Sequence, residues 1–114
     1  MNVESFYLHV VSKPGAEETF PFGQEVLVMK VGGKMFALIN PDEVPARANL
    51  KCDPLRAIEL REEYEGVIPG WHMNKKTWNT VYLDSDVPDP LIRELIDHSY
   101  DLIVESLPEE KRPG

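Results

Sequence analysis

A pair of β-rich segments joined by two glycines constrains this fold more than any other part of the chain. The segments EVLVMKV and KMFALI flank Gly32-Gly33, and glycine readily adopts the positive φ angles of a two-residue hairpin turn. A regular hairpin then predicts the pairs Val31–Lys34, Lys30–Met35, Met29–Phe36 and Val28–Ala37. Both faces of the hairpin would be apolar, so one face should pack under helices and the other needs a second cover or a partner.

Three other segments predict helices. Residues 2–13 and 53–66 each begin at a good N-cap, and both end at a proline or glycine signal. A third helix should begin near Asp86 or Asp89 and continue to about Leu107. The pattern of the second helix predicts a buried side made of Leu55, Ala57, Ile58, Leu60 and Tyr64.

Further strand patterns complete an α+β fold. The segments EETFPFG (17–23), RANLKC (47–52) and TWNTVYL (77–83) are short and are bounded by turn residues. Hairpin-length connections join the early strands, so the sheet should be antiparallel, with helices packed against it. We expect one domain over residues 1–114, with residues 108–114 as a frayed tail.

Composition narrows the possible functions. The net charge is −8, yet eight of the twelve cations lie between residues 30 and 76, beside seven acids. The acidic total disfavours tight, sequence-independent binding to nucleic acid. Cys52 is alone, which excludes an intrachain disulfide and fits a reducing compartment. No signal peptide and no apolar run of about 20 residues is visible, so the cytoplasm is the expected location.

The sequence predicts no metal site, no cofactor and no enzyme. The enzyme alternative stays open only because His72, Asn74 and Lys75 could line an anion pocket, and no reaction class follows from them. The lone Cys52 has no base linked to it by a recognisable spacing. The three histidines, His9, His72 and His98, are far apart and lack the clustered partners of a metal site. No phosphate-binding glycine motif is present.

The stretch GWHMNKKTWNTV (70–81) gathers both tryptophans, a histidine and two lysines. Trp71 and Trp78 could stack on bases while Lys75 and Lys76 contact phosphates. The same residues also suit a strand–turn–strand in which both rings complete the core and the lysines face water. Composition alone favours that structural alternative.

This stretch also carries a resemblance. Together with SKPGAEETFPFG (12–23) and LIDHSYDLI (95–103), it resembles the YjbR/MmcQ-like family of small bacterial proteins over nearly the whole chain. One departure is Thr77, where similar members often carry histidine, so a ligand contact at that position would be altered here. The resemblance implies a two-layer α/β sandwich with an antiparallel sheet, comparable to frataxin-like and secretion-chaperone folds.

The resemblance also implies DNA binding through two β-hairpin wings that grip a duplex. The predicted contact residues are Lys30, Lys34, Arg47, Lys51, Trp71, His72, Asn74, Lys75, Lys76 and Trp78. These residues lie in the cation-rich part of the chain, which supports the DNA hypothesis. The alternative is a chaperone-like module that binds a protein partner through the apolar sheet face.

Overall fold

A six-stranded antiparallel sheet with helices on one face forms the whole protein. The structure is a computed structural model that describes residues 1–114. The helices are α1 (Val3–Val11), α2 (Pro54–Glu63) and α3 (Asp89–Ser106). The strands are β1 (Glu17–Thr19), β2 (Leu27–Val31), β3 (Lys34–Ile39), β4 (Arg47–Lys51), β5 (Val67–Pro69) and β6 (Trp78–Tyr82). The order in the sheet is β1-β2-β3-β4-β6-β5, which confirms the predicted α+β sandwich.

The main core lies between the sheet and the helical layer. Phe6 of α1, Leu60 of α2 and Ile96 of α3 belong to one buried cluster with alternate residues of the strands. Phe36 and Tyr100 meet edge to face in this cluster, with ring centroids 5.3 Å apart. All three helices therefore cover the same sheet face, and the opposite face has no helix over it. None of the helices has the length and apolar character that a membrane crossing demands.

The hairpin follows the predicted register only near its tip. Val31 pairs with Lys34 and Lys30 with Met35, as predicted, but Met29 then pairs with Ala37 and Val28 with Leu38. The predicted pairs Met29–Phe36 and Val28–Ala37 are wrong because Phe36 forms a β-bulge, an extra residue on β3. The bulge turns both Phe36 and Ala37 toward the helical layer.

Helix α2 buries only part of the side that was predicted to face the core. Ala57 and Leu60 are buried, but Leu55 and Ile58 are exposed. The helix is oriented so that Arg61, one residue after Leu60, donates to the Trp78 carbonyl and to Asn79 Oδ1 at the start of β6. Leu55 and Ile58 are therefore wrong as core positions, because the helix turns Ala57, Leu60 and Tyr64 to the core.

The third helix begins at Asp89, and its N-cap is Pro88, which offers no side-chain hydrogen bond. The carboxylate of Asp86 accepts hydrogen bonds from the backbone N–H groups of Glu65 and Gly66 instead, each at 2.8 Å. Beyond α3, Glu109–Lys111 form a short 3₁₀ turn. The Arg112 side chain donates to the backbone carbonyls of Glu105 and Leu107 at the C-terminal end of α3.

A neutral His98 docks the N-terminus of α2 against α3. The backbone N–H of Asp53, the N-cap of α2, donates to His98 Nε2 at 3.1 Å. Partial burial, assisted by the positive charge of Arg56, lowers the pKa of His98 below its ordinary value of 6.5. The uncharged imidazole is therefore favoured in the folded protein. Its contribution to stability is complete above about pH 6.5 and is lost as the pH falls through the lowered folded pKa.

We expect His98→Gln to remove part of the acid sensitivity of folding. Glutamine offers a carbonyl acceptor to Asp53 but does not titrate. Urea unfolding between pH 7.5 and pH 5 should show a smaller loss of unfolding free energy in the variant than in the parent. Carboxylates such as Asp97, whose pKa is lowered by its bonds from Lys13 and His9 despite partial burial, act at lower pH. Equal losses in parent and variant would contradict this role of His98.

Candidate functional site

The sheet face without helices is called the open face. Alternate residues of β4 and β6 point to it, and the register brings them together in three cross-strand pairs. These pairs are Arg47–Tyr82, Asn49–Thr80 and Lys51–Trp78. The face therefore combines cations, aromatic rings and an amide within two adjacent strands.

A small apolar cluster covers part of the open face. Trp78 is only 7% exposed and packs with Val28 and Leu38, while Met73 lies against the cluster from outside. The predicted second cover for the hairpin is thus supplied by the chain itself. Trp78 completes a core, as the structural interpretation predicted, but Trp71 does not, because 55% of its surface is exposed.

The segment Gly70–Thr77, called the 70–77 loop, folds back over the open face and is held there by two side chains of the sheet. The Trp71 N–H donates to Thr80 Oγ1 at 2.9 Å, and the Trp71 carbonyl accepts from Asn49 Nδ2 at 3.0 Å. Thr80 Oγ1 in turn donates to Asn49 Oδ1 at 2.6 Å. This closed set of bonds fixes the main chain from which the Trp71 ring projects.

Two cations hold the base of the same loop. The Arg61 guanidinium donates to the carbonyls of Lys75 and Trp78 and to Asn79 Oδ1. Lys75 Nζ donates to the Gly70 carbonyl at 2.9 Å. The Lys75 ammonium group is therefore engaged within the loop, whereas Lys76 is exposed and forms no side-chain bond.

A groove of about 420 Å³ opens beside Trp71. Its apolar walls are formed by Phe22, Val26, Leu38, Trp71 and Met73. Its polar residues are Asn40, Glu43, Arg47, Asn49 and His72. Phe22 is 64% exposed, so two aromatic rings stand at the rim with much of their surface in solvent. Exposed apolar side chains that line one groove, unlike scattered ones, are typical of a binding site.

His72 adopts a left-handed backbone conformation, with φ of 60°. A non-glycine residue in this region carries a conformational cost of about 1–3 kcal/mol unless the surroundings compensate for it. The His72 ring lies edge-to-face on Trp71, with ring centroids 5.0 Å apart. The strained residue therefore lies at the rim of the groove, where such conformations often have a functional reason.

Arg47 links the groove to the rest of the open face. Its guanidinium pairs with Glu43 and lies 5.8 Å from the centre of the Trp71 ring and 5.9 Å from that of Tyr82. The ammonium group of Lys51 lies 6.0 Å from the centre of the Trp78 ring. Cations thus lie next to aromatic rings at two places on one face.

The predicted hairpin tip is divided between the two faces. Lys30 lies on the open face, while Lys34 lies on the helical face, where its Nζ is 3.3 Å from Ser106 Oγ of α3. The tip itself packs against the C-terminal segment, because a Cβ added at Gly32 would meet Leu107 at 2.5 Å. The tip lysines are not brought together.

The structure gathers six of the ten predicted contact residues on or beside the open face. They are Lys30, Arg47, Lys51, Trp71, His72 and Trp78. Asn74, Lys75 and Lys76 lie further along the 70–77 loop that also carries Trp71 and His72, and Asn74 Oδ1 accepts from the Lys76 N–H. Lys34 lies on the other face.

Sequence reasoning missed the residues that build the site around these six. Asn49 and Thr80 carry the loop, Glu43 partners Arg47, and Phe22 forms the rim. A signal existed for Asn49, which lies between Arg47 and Lys51 with the period of two that places all three on one strand face.

The single cysteine is not part of the open face or its groove. Cys52 is buried in the main core, and burial raises the pKa of its thiol to about 11. The thiol is therefore protonated at neutral pH and is a poor nucleophile.

Comparisons with known proteins agree with this architecture. The YjbR family model matches residues 11–102. The uncharacterized protein YjbR of Escherichia coli K12 is 38% identical over 112 residues, covering 98% of this chain and 95% of the relative. A crystal structure of a Deinococcus radiodurans protein with a DUF419 domain has a TM-score of 0.90 at 39% identity, covering 96% of this chain and 84% of that one. A crystal structure from Pseudomonas syringae has a TM-score of 0.77 at 27% identity, covering 90% of this chain and 98% of that one. The chain belongs to the YjbR family.

Proposed function

We propose that the protein binds single-stranded DNA across the open face of its sheet. The observation that carries this proposal is the exposed Trp71 side chain, whose main chain is held by Asn49 and Thr80 and whose ring centre lies 5.8 Å from the Arg47 guanidinium. An exposed aromatic ring offers a base a stacking surface, and the cations on the same sheet face offer positive charge to the neighbouring phosphates.

The distribution of charge supports the choice of face. The strands place Lys30, Arg47 and Lys51 on the open face, against Glu17 opposite Lys30 and Glu43 paired with Arg47. The solvent side of the helical layer is acidic. Its exposed acids include Glu59, Glu62 and Glu63 of α2 and Glu94, Asp101 and Glu105 of α3. A polyanion that approaches this acidic protein is therefore directed toward the open face.

The packing of both hairpins favours a single strand over a duplex. The Gly32-Gly33 tip is packed against Leu107, and the 70–77 loop is folded onto the sheet. Neither hairpin projects as a free element that could enter the major groove. Stacking on Trp71 also requires an unpaired base, which a duplex does not offer.

Charge reversal on the open face should weaken binding much more than the same reversal elsewhere. The variant Lys30→Glu/Lys51→Glu should lose at least about tenfold in affinity for a fluorescein-labelled single-stranded oligonucleotide, about 1.4 kcal/mol. Phosphate contacts by Lys30 and Lys51 predict a slope of log affinity against log salt of about −1.4, and the double variant should lose most of that slope. Fluorescence anisotropy at several salt concentrations measures both quantities.

The matched control is Lys34→Glu/Lys111→Glu, which makes the same change in net charge with both residues off the open face. It should retain most of the affinity. A duplex of equal length should bind more weakly than the single strand. Equal losses in the two double variants, or no binding by the parent protein at low salt, would contradict the proposal.

A second candidate, protein binding, is favoured by the exposed rings of Phe22 and Trp71. A partner held by these rings would bury apolar surface, and salt would change its affinity little. Sedimentation of the protein at increasing concentration tests the simplest form, association with a second copy. Replacement of Phe22 by serine should then abolish the association.

A further inference from the structure

The groove beside Trp71 has the size and lining of a small-molecule site. Its volume of about 420 Å³ lies within the range of about 300–1,000 Å³ that such sites occupy. Leu38 and Met73 supply an apolar wall, and the fixed Trp71 supplies an aromatic one. A flat ring system would therefore gain contact on more than one side.

One side of the groove carries both hydrogen-bond donors and hydrogen-bond acceptors. Arg47 uses its Nη2 to bind Glu43, which leaves its other N–H groups available as donors. Glu43 offers its second carboxylate oxygen as an acceptor, and the Asn40 amide NH₂ remains a donor, since only its Oδ1 is used, by the Asp42 N–H. Donors and acceptors side by side match the edge of a nucleobase, which presents both. An aliphatic side chain bound in the groove would leave these donors and acceptors without hydrogen-bond partners.

The groove is preformed. The closed set of bonds among Trp71, Asn49 and Thr80 holds one wall, and Arg61 holds the base of the loop that carries it. A preformed site avoids the cost of ordering a loop on binding.

From this geometry we propose that the groove holds one unstacked nucleobase, with its faces against the apolar walls and its polar edge toward Arg47 and Glu43. This inference rests on the proposed binding of single-stranded DNA, since it names what one nucleotide of the strand does. Lys30 and Lys51 on the same sheet face then contact phosphates outside the groove.

Free nucleosides test the groove independently of phosphate contacts because they are uncharged. Titration of adenosine, guanosine, cytidine and thymidine, followed by amide chemical shifts, should perturb groove residues, with affinities on the order of millimolar. Val26→Trp should fill the groove and weaken nucleoside binding at least about tenfold. The matched control Ile58→Trp adds the same side chain to the exposed side of α2 and should leave nucleoside binding unchanged. Thermal unfolding verifies that both variants fold, and Trp71→Ala provides a second loss of binding that does not depend on tolerating a larger side chain.

The outcomes separate the two proposals. Lys30→Glu/Lys51→Glu should lose oligonucleotide affinity and keep nucleoside affinity. If oligonucleotides bind but no nucleoside perturbs the groove, the base pocket is refuted and DNA binding survives. If N-acetylphenylalaninamide occupies the groove and nucleosides do not, the groove is a site for a protein side chain and the inference is overturned.

Discussion

Replacing Trp78 by alanine should lower the free energy of unfolding by about 3–5 kcal/mol, the range for removal of a buried tryptophan. Trp78 fills the apolar cluster of the open face with Val28 and Leu38, and its loss leaves a cavity there. The melting temperature should fall by more than about 10 °C. Urea or thermal unfolding followed by circular dichroism measures the effect.

The other tryptophan provides the matched comparison. Trp71→Ala should change stability by less than about 1 kcal/mol, because more than half of the residue's surface is already exposed to solvent. The same change should weaken single-stranded DNA binding by about 1–3 kcal/mol, the contribution of one stacked base. Trp78→Phe keeps a ring in the cluster, so it should fold even if Trp78→Ala does not, with an intermediate loss. Equal stability losses in the two alanine variants would contradict this division between a core ring and a binding ring.

Local chemistry made much of the fold predictable. Asn2 caps α1 by accepting from the Ser5 N–H, and Asp53 caps α2 by accepting from the Arg56 N–H, as the sequence pattern indicated. The glycine pair Gly32-Gly33 forms the predicted turn with both φ angles positive. Each of these features depends on residues only a few positions apart, which is why single-sequence reasoning finds them.

The site was less predictable because its shape depends on distant residues. The 70–77 loop folds over the sheet because Asn49, about twenty residues earlier, binds the Trp71 carbonyl. The exposed side of α2 follows from Arg61 reaching Asn79 rather than from the apolar pattern of the helix. Residue type and spacing do not encode such contacts.

The contacts of Ser99 in the core likewise join residues that are distant in the sequence. The register places Ala37 opposite Leu50, so Phe36 and Lys51 would be the next pair of β3 and β4. At this point the Ser99 hydroxyl of α3 lies between the strands. It donates to the Phe36 carbonyl at 2.5 Å and accepts from the Lys51 N–H at 2.9 Å. One buried hydroxyl thus replaces the ladder bond that the bulge at Phe36 removes.

Ser99→Ala should lower the free energy of unfolding by about 2–5 kcal/mol, because it leaves a buried carbonyl and a partly buried N–H without partners, at about 1–3 kcal/mol each. Ser106→Ala is the matched control on the same helix. Its exposed hydroxyl donates to the Ile103 carbonyl and accepts from Lys34 Nζ, and loss of these surface bonds should cost little. Amide hydrogen exchange of Lys51 should accelerate in Ser99→Ala and not in Ser106→Ala. Because Lys51 also carries its ammonium group toward Trp78 on the open face, loosening this strand end should weaken DNA binding as well. Similar stabilities for the two alanine variants, with unchanged amide exchange at Lys51, would contradict this role of Ser99. They would mean that β3 and β4 form the Lys51–Phe36 backbone hydrogen bond directly.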